Sequence, residues 1–322
     1  MTPDPEFTNS ESKLIDVLKI EGAWQTVEGF PQPDWRCIGK YIGQNYPDEE
    51  HPGIFEQASF RWVDALRNVL GAEYRIHESK HFLILTTKSP YSSKYTLNVC
   101  ENILIKIRNH LGSLAWRWTN GKHVILMFED LDLYYRYISF FYPEEGEFSG
   151  SGGVFLNKGY CHTALPPVHD AVPALIHELT HLSLVHLRIP RWLDEGVAVT
   201  TENNVKGWGS SDLDADMSAS HKTHWNSETI QNFWSGKSFH SPEESRLSYS
   251  LARILVENMQ NDYSHIKEFI HDANQADHGE ASALKHLGVS LNVVAASFLG
   301  EGDWSPKPII EKAKPAKENR PG

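Results

Sequence analysis

Apolar positions along the chain change their period several times, and each change predicts an element. Between residues 13 and 75, short helical patterns are separated by Pro and Gly. In FEQASFRWVDALRNVLG, the residues Phe55, Ala58, Phe60, Trp62, Val63, Leu66 and Val69 recur near the 3.6-residue spacing of a helix stripe. Trp24, Trp35 and Trp62 read as packing residues, with a peptide-binding aromatic patch as the other reading. HFLILTT, from His81, is a continuous apolar run and predicts a strand. Residues 93–111 return to helical spacing, with Leu97, Cys100, Ile103, Leu104 and Ile107 inward. A second strand follows at His123 to Phe128, and a second helix at Leu131 to Tyr142, with Leu131, Tyr134, Tyr135 and Ile138 on one side. This strand, helix, strand, helix order predicts a mixed sheet packed by helices.

Phe148 to Leu156 carries Gly and Ser and then a short apolar run, so it predicts a loop leading into a strand. An edge strand here could receive an extended peptide through main-chain hydrogen bonds; a buried sheet strand is the alternative. The next helix begins near Asp170, which can cap free amides, and stops at His186 or Leu187, before Pro190. Leu175, Ile176, Leu179, Leu182 and Val185 surround much of it, which predicts burial. Residues 203–245 are polar and read as a loop with one short helix, whereas RLSYSLARILVENM and the segments beyond it are helical. Gly288 and Gly300 mark two helix ends.

The pattern therefore predicts an α+β chain, a small mixed sheet packed by helices followed by a mainly helical half. Residues 1–12 are expected to be disordered, 13–75 form an N-terminal helical region, 76–300 form the main domain, and 301–322 form a flexible tail. Within the main domain, 76–169 is the α/β part and 170–300 the helical part. Composition narrows the function classes. A net charge of -12 and a pI near 5.8 argue against nucleic acid or an anionic membrane as partner. The start of the chain lacks the basic and apolar runs of a signal peptide, and no apolar stretch reaches spanning length. Cys37, Cys100 and Cys161 are odd in number and far apart, so they suit neither a disulfide framework nor a Cys-x-x-Cys metal site. A soluble, cytoplasmic protein is expected.

The chemistry is concentrated in ALIHELTHLSLVHLRIPRWLDEGVAVTT. His177 and His181 stand four apart, so on a helix both imidazoles face one metal ion, as in a zinc hydrolase. Glu178 is rotated about 100° away, outside the ligand set and placed to act as a base on a water. A third histidine is missing: a metzincin continuation needs Gly at 184 and His at 187, and both are leucine. His186 lies about 180° around the helix from His177. RIPRWLDEG instead turns at Pro190 and opens a second helix that brings Glu195 back, completing a His₂Glu set with one open position. His221, His224 and Glu228 could form a second metal site if helical, or a solvated loop cluster.

At these residues the sequence resembles the gluzincin metallopeptidases with a peptidase MA-like domain. There the H-E-x-x-H helix is followed by Pro-x-Trp-Leu-x-Glu-Gly-x-Ala, here Pro190, Trp192, Leu193, Glu195, Gly196 and Ala198. The resemblance extends from the strand at His81 to about Leu299. It implies a thermolysin-like fold with the zinc cleft between the two parts, and one Zn2+ held by His177, His181 and Glu195 rather than Asp194. It also implies Glu178 as general base and Tyr249 as oxyanion donor, with His240 as the alternative donor. For Tyr249, packing on the core is the other reading. The sequence departs from the family at Val199, where many gluzincins carry an acidic residue that orients a ligand histidine. Glu202, Asp170 or a backbone carbonyl would take that role. The expected activity is zinc-dependent hydrolysis of a peptide or protein substrate, as endopeptidase or aminopeptidase. The alternative is a non-catalytic partner-binding protein with a structural or vestigial zinc site. Nothing in the sequence fixes the oligomeric state.

Overall fold

The computed structural model of the chain describes residues 20–116, 121–142, 152–207 and 215–308. The expected disordered start at 1–12 lies outside the described residues. So do 148–151 of the Gly/Ser stretch, 208–214 of the polar segment and 309–322 of the expected tail. The chain divides into two compact units. Of the described residues, one unit holds 20–109, 116, 121–142 and 152–183, and the other holds 110–115, 184–207 and 215–308.

The first unit opens with two short strands that the apolar periodicity does not announce. They are β1 (Trp24–Val27) and β2 (Phe30–Pro33), paired antiparallel. Helix α1 (Trp35–Asn45) begins on Asp34, whose side chain accepts from the amides of Arg36 and Cys37. Helix α2 (His51–Leu70) carries Pro52 in its first turn and ends at Gly71. Ala23, Ile38, Ile42, Ile54 and Ala58 form a small core against which Trp24 and Trp35 pack. Trp62 is buried and donates its indole N–H to the Pro31 carbonyl. The tryptophans thus pack, as read. Phe60 and Val69, counted in the α2 stripe, face solvent instead, because the buried face runs through Ile54, Ala58, Trp62 and Leu66.

A five-stranded sheet follows, built from β3 (Arg75–Glu78), β4 (Phe82–Thr86), β5 (His123–Met127), β6 (Val154–Leu156) and β7 (His162–Leu165), in the order β3-β4-β5-β7-β6. Strands β4, β5 and β7 run parallel, and β3 and β6 pair antiparallel at the two edges. Every residue of the three central strands is buried; β4 and β5 read as apolar runs for that reason, whereas β7, His-Thr-Ala-Leu, is not expected as a strand from the sequence. Helices α3 (Pro90–Leu111) and α4 (Leu131–Ser139) connect them, α4 capped by Asp130. The mixed sheet is as the sequence predicts. Of the two readings for the strand after the Gly/Ser stretch, the structure takes the edge.

Helix α5 (Val172–Leu184) carries the paired histidines, and Asp170 accepts from the amide of Val172 ahead of it. In the second unit lie α6 (Arg191–Lys206), α7 (Ala215–His224), α8 (Ile230–Trp234), α9 (Ser245–Asp262), α10 (Ile266–Asp272), α11 (Glu280–His286) and α12 (Leu291–Leu299). The segment expected to be a loop with one short helix holds both α7 and α8. Buried anchors that are few and irregularly spaced fix it: His221, Trp225, Ile230, Phe233, Trp234 and Phe239. The architecture is α+β. No single helix among the described residues is long and apolar enough to cross a membrane.

Helices α6 and α9 meet at Gly196, where a Cβ would stand 2.6 Å from the Ala252 carbonyl oxygen and 2.7 Å from a Val256 methyl. Only glycine permits this approach. Trp192, fully buried on α6, donates its indole N–H to the His278 carbonyl at 3.0 Å and packs edge-on against Trp234.

Candidate metal centre

Two consecutive helices supply the site. On α5, His177 and His181 are one turn apart, with ring centroids 4.8 Å from each other and planes at 78°. On α6, Glu195 is the third member. One donor atom from each of His177, His181 and Glu195 lies within 4.8 Å of the other two. His181 and Glu195 are buried and His177 is half-buried. Asp194 is not in the group, so the carboxylate that joins the histidines is the one the resemblance implies.

The donor set fits a metal ion. Two imidazole nitrogens and a carboxylate are the ligands of an open three-coordinate zinc site. Donors at about 2.0–2.1 Å from a tetrahedral ion stand about 3.4 Å apart, near enough to the observed separation for small side-chain rotations to close. A buried carboxylate beside two imidazoles is also a costly arrangement unless charge is balanced. Arg191 supplies some of that balance, its Nη2 standing 2.9 Å from Glu195 Oε1.

Glu178 follows His177 on α5 and is 6 % exposed. Its Oε2 accepts the backbone N–H of Phe155 on the edge strand β6 at 2.7 Å. The Phe155 ring also stacks on His181, with centroids 6.5 Å apart and planes at 19°. Strand β6 therefore steadies both the histidine face and the carboxylate next to it.

Other expected participants are placed as follows. Tyr249 is half-buried on α9, one turn ahead of Ala252, with Phe239 edge-on at 5.2 Å. His240 ends a 3₁₀ turn at Lys237–His240. Glu202 accepts from Lys206 Nζ at 2.7 Å. Val199 is half-buried, and Asp170 caps α5 from an exposed position. His186 is exposed beyond the end of α5.

The second candidate cluster resolves differently from both of its readings. Residues 215–224 are helical, yet His221 is fully buried. The Trp225 indole N–H, a donor only, points at its Nδ1, so Nε2 bears the proton and donates to Ser250 Oγ. Both nitrogens are engaged, and burial pushes its pKa down to about 4. It is a structural histidine. His224 pairs with Glu244 instead.

Two further histidines are likewise buried and held neutral. His162 bonds the Tyr160 carbonyl and the Tyr137 hydroxyl and is pushed down to about 4 by burial. His123 bonds Thr163 Oγ1 and is pushed down to about 3 by burial, with His162 adding to it. His81 instead meets a carboxylate, Glu101 Oε2, at 2.6 Å.

Sequence reasoning missed Phe155 and Arg191. No local pattern marks the first, because strand pairing places its amide. The second could have been found, since it precedes Glu195 by four residues on a helix. A scan against protein-family models finds no match for the chain, and a search of curated proteins finds none either.

Proposed function

We propose that the chain is a zinc-dependent metallopeptidase of the gluzincin type, acting on a peptide or protein substrate. The observation that carries this reading is the meeting of His177, His181 and Glu195 donors within 4.8 Å, with Glu178 beside them. The thermolysin-like form of the fold, the identity of the metal as zinc, and a soluble cytoplasmic setting belong to the same proposal. So does the assignment of Tyr249.

When bound, zinc polarises the scissile carbonyl and acidifies a water. His177, His181 and Glu195 would hold it. Glu178 takes the proton of the attacking water at its carboxylate and passes it to the leaving amine. The Phe155 amide keeps that carboxylate oriented. Tyr249 gives its hydroxyl proton to a hydrogen bond with the developing oxyanion, and His240 is the substitute donor if Tyr249 only packs.

Val199, at the position where many gluzincins carry an acidic residue, favours the second reading, a partner-binding protein with a structural or vestigial zinc. Metal analysis together with peptide cleavage by wild type and Glu178→Gln separates the two. The peptidase reading expects one zinc per chain in both proteins and cleavage by wild type alone. Equal cleavage by both would sink the role of Glu178, and zinc without cleavage in either would support the second reading. Zinc retained by Glu195→Ala but lost by Asp194→Ala would overturn the ligand assignment.

A further inference from the structure

Arg191 is the first residue of α6, where a helix presents the positive end of its dipole and disfavours a cation. Glu195 lies four residues later, and this order, cation before anion, is the less favourable one for a helical ion pair. Helix electrostatics therefore opposes an arginine here twice. Its Nη2 nevertheless stands 2.9 Å from Glu195 Oε1. The carboxylate side chain is only 3 % exposed while the arginine side chain is 39 % exposed, so the guanidinium reaches in from the surface to a buried acid. The stem is also seated. Gly236, at φ 81°, lies so close that a Cβ there would stand 2.8 Å from Arg191 Cβ.

We propose that Arg191 is the resident counter-ion of Glu195 in the metal-free protein and that it lowers the metal affinity of the site. This rests on the metal reading above. Without metal, the buried carboxylate needs a positive partner, and loss of one member of such a pair is strongly destabilising. Arrival of a dication brings a second positive charge to the same carboxylate. The guanidinium then repels the metal and shares its ligand. By linkage, whatever stabilises the metal-free form more than the bound form weakens binding.

The test uses the full chain stripped of metal by a chelator, with zinc alone as the probe. Zinc affinity is read by competition with a chromophoric chelator, and stability by urea unfolding with and without zinc. Arg191→Met is expected to lose more stability in the zinc-free form than in the zinc-bound form. It should bind zinc about tenfold more tightly than wild type. Arg191→Lys, which keeps the charge, should stay within about threefold of wild type. Because Arg191→Met alone could fail to fold, the double variant Arg191→Met/Glu195→Gln provides a metal-independent check. Removing both charges should restore most of the zinc-free stability. A double variant as unstable as Arg191→Met would show that arginine packing, not charge, is what matters, and would overturn the proposal. Equal or weaker zinc binding by Arg191→Met would overturn it too. Wild type that binds no zinc removes the metal reading and this proposal together, whereas zinc binding without the expected coupling removes this proposal alone.

Discussion

The backbone N–H of Phe155 donates to Glu178 Oε2 at 2.7 Å. In the ladder Phe155 sits opposite Thr163 of β7, and its amide points away from that strand to the open side of the sheet. An edge strand thereby fixes the carboxylate proposed as the base. Phe155→Pro removes this donor without touching a pairing that the sheet uses. The change also removes the ring stacked on His181, so Phe155→Ala, which keeps the amide, is the control: on the peptidase reading, turnover of Phe155→Pro should fall about tenfold to a hundredfold below that control at equal zinc content. Steady-state kinetics with metal analysis checks this, and loss of zinc in the variant would contradict it.

Gly196→Ala places a methyl 2.6 Å from the Ala252 carbonyl oxygen. Backbone atoms cannot rotate away, so α6 must shift against α9. Overpacking of this kind costs about 1–3 kcal/mol. The neighbouring residue is Glu195, so on the metal reading zinc affinity should drop as well. Urea unfolding and chelator competition would register the two effects, and an unchanged stability would show that the seam is looser than described.

Trp192→Phe keeps much of the buried ring area but leaves the His278 carbonyl without its indole donor. His278 sits at φ 59°, a left-handed conformation uncommon for a non-glycine residue. The expected loss is about 1–3 kcal/mol, seen as a lower urea midpoint with an unchanged slope. A midpoint equal to wild type would mean that the hydrogen bond contributes little.

Acid should weaken the fold earlier than carboxylate titration alone predicts. His162 and His221 are held down to about 4, and His123 to about 3, mainly because burial disfavours their charged forms. In the unfolded chain each titrates near 6.5. Between these values only the unfolded chain takes up the proton, so the stability is complete above pH 6.5 and declines as pH falls below it. For His162 the full effect is on the order of 3 kcal/mol. Urea unfolding from pH 8 to pH 5 should show this decline, and a flat profile down to pH 5 would contradict it.

Strands β4 and β5 were legible because they are buried along their whole length and leave apolar runs, whereas β7 is just as buried but reads His-Thr-Ala-Leu and gave no such signal. The group that could hold a metal ion was legible for a different reason: His177 and His181 share a helix face by spacing alone, and Pro190 precedes the turn into α6. Elements held by a few large side chains were not. The β1–β2 hairpin is only eight paired residues long and leans on Trp62. Helix α7 depends on His221, which binds Trp225 and Ser250. A histidine in a polar stretch looks solvated until its partners, from other parts of the chain, are known.

Gly196 also bears on the order of events during folding. The residue beside it donates the carboxylate proposed to bind metal, but the surface on which it rests is α9, residues 245–262. A ribosome that has just finished α6 must still add about forty residues before α9 begins. The two histidines and Glu195 are close in sequence, yet their alignment awaits a distant segment, a long-range contact that forms slowly. On the proposed reading, metal capture is a late step, and a nascent chain that ends before residue 245 carries all three ligands without a stable site.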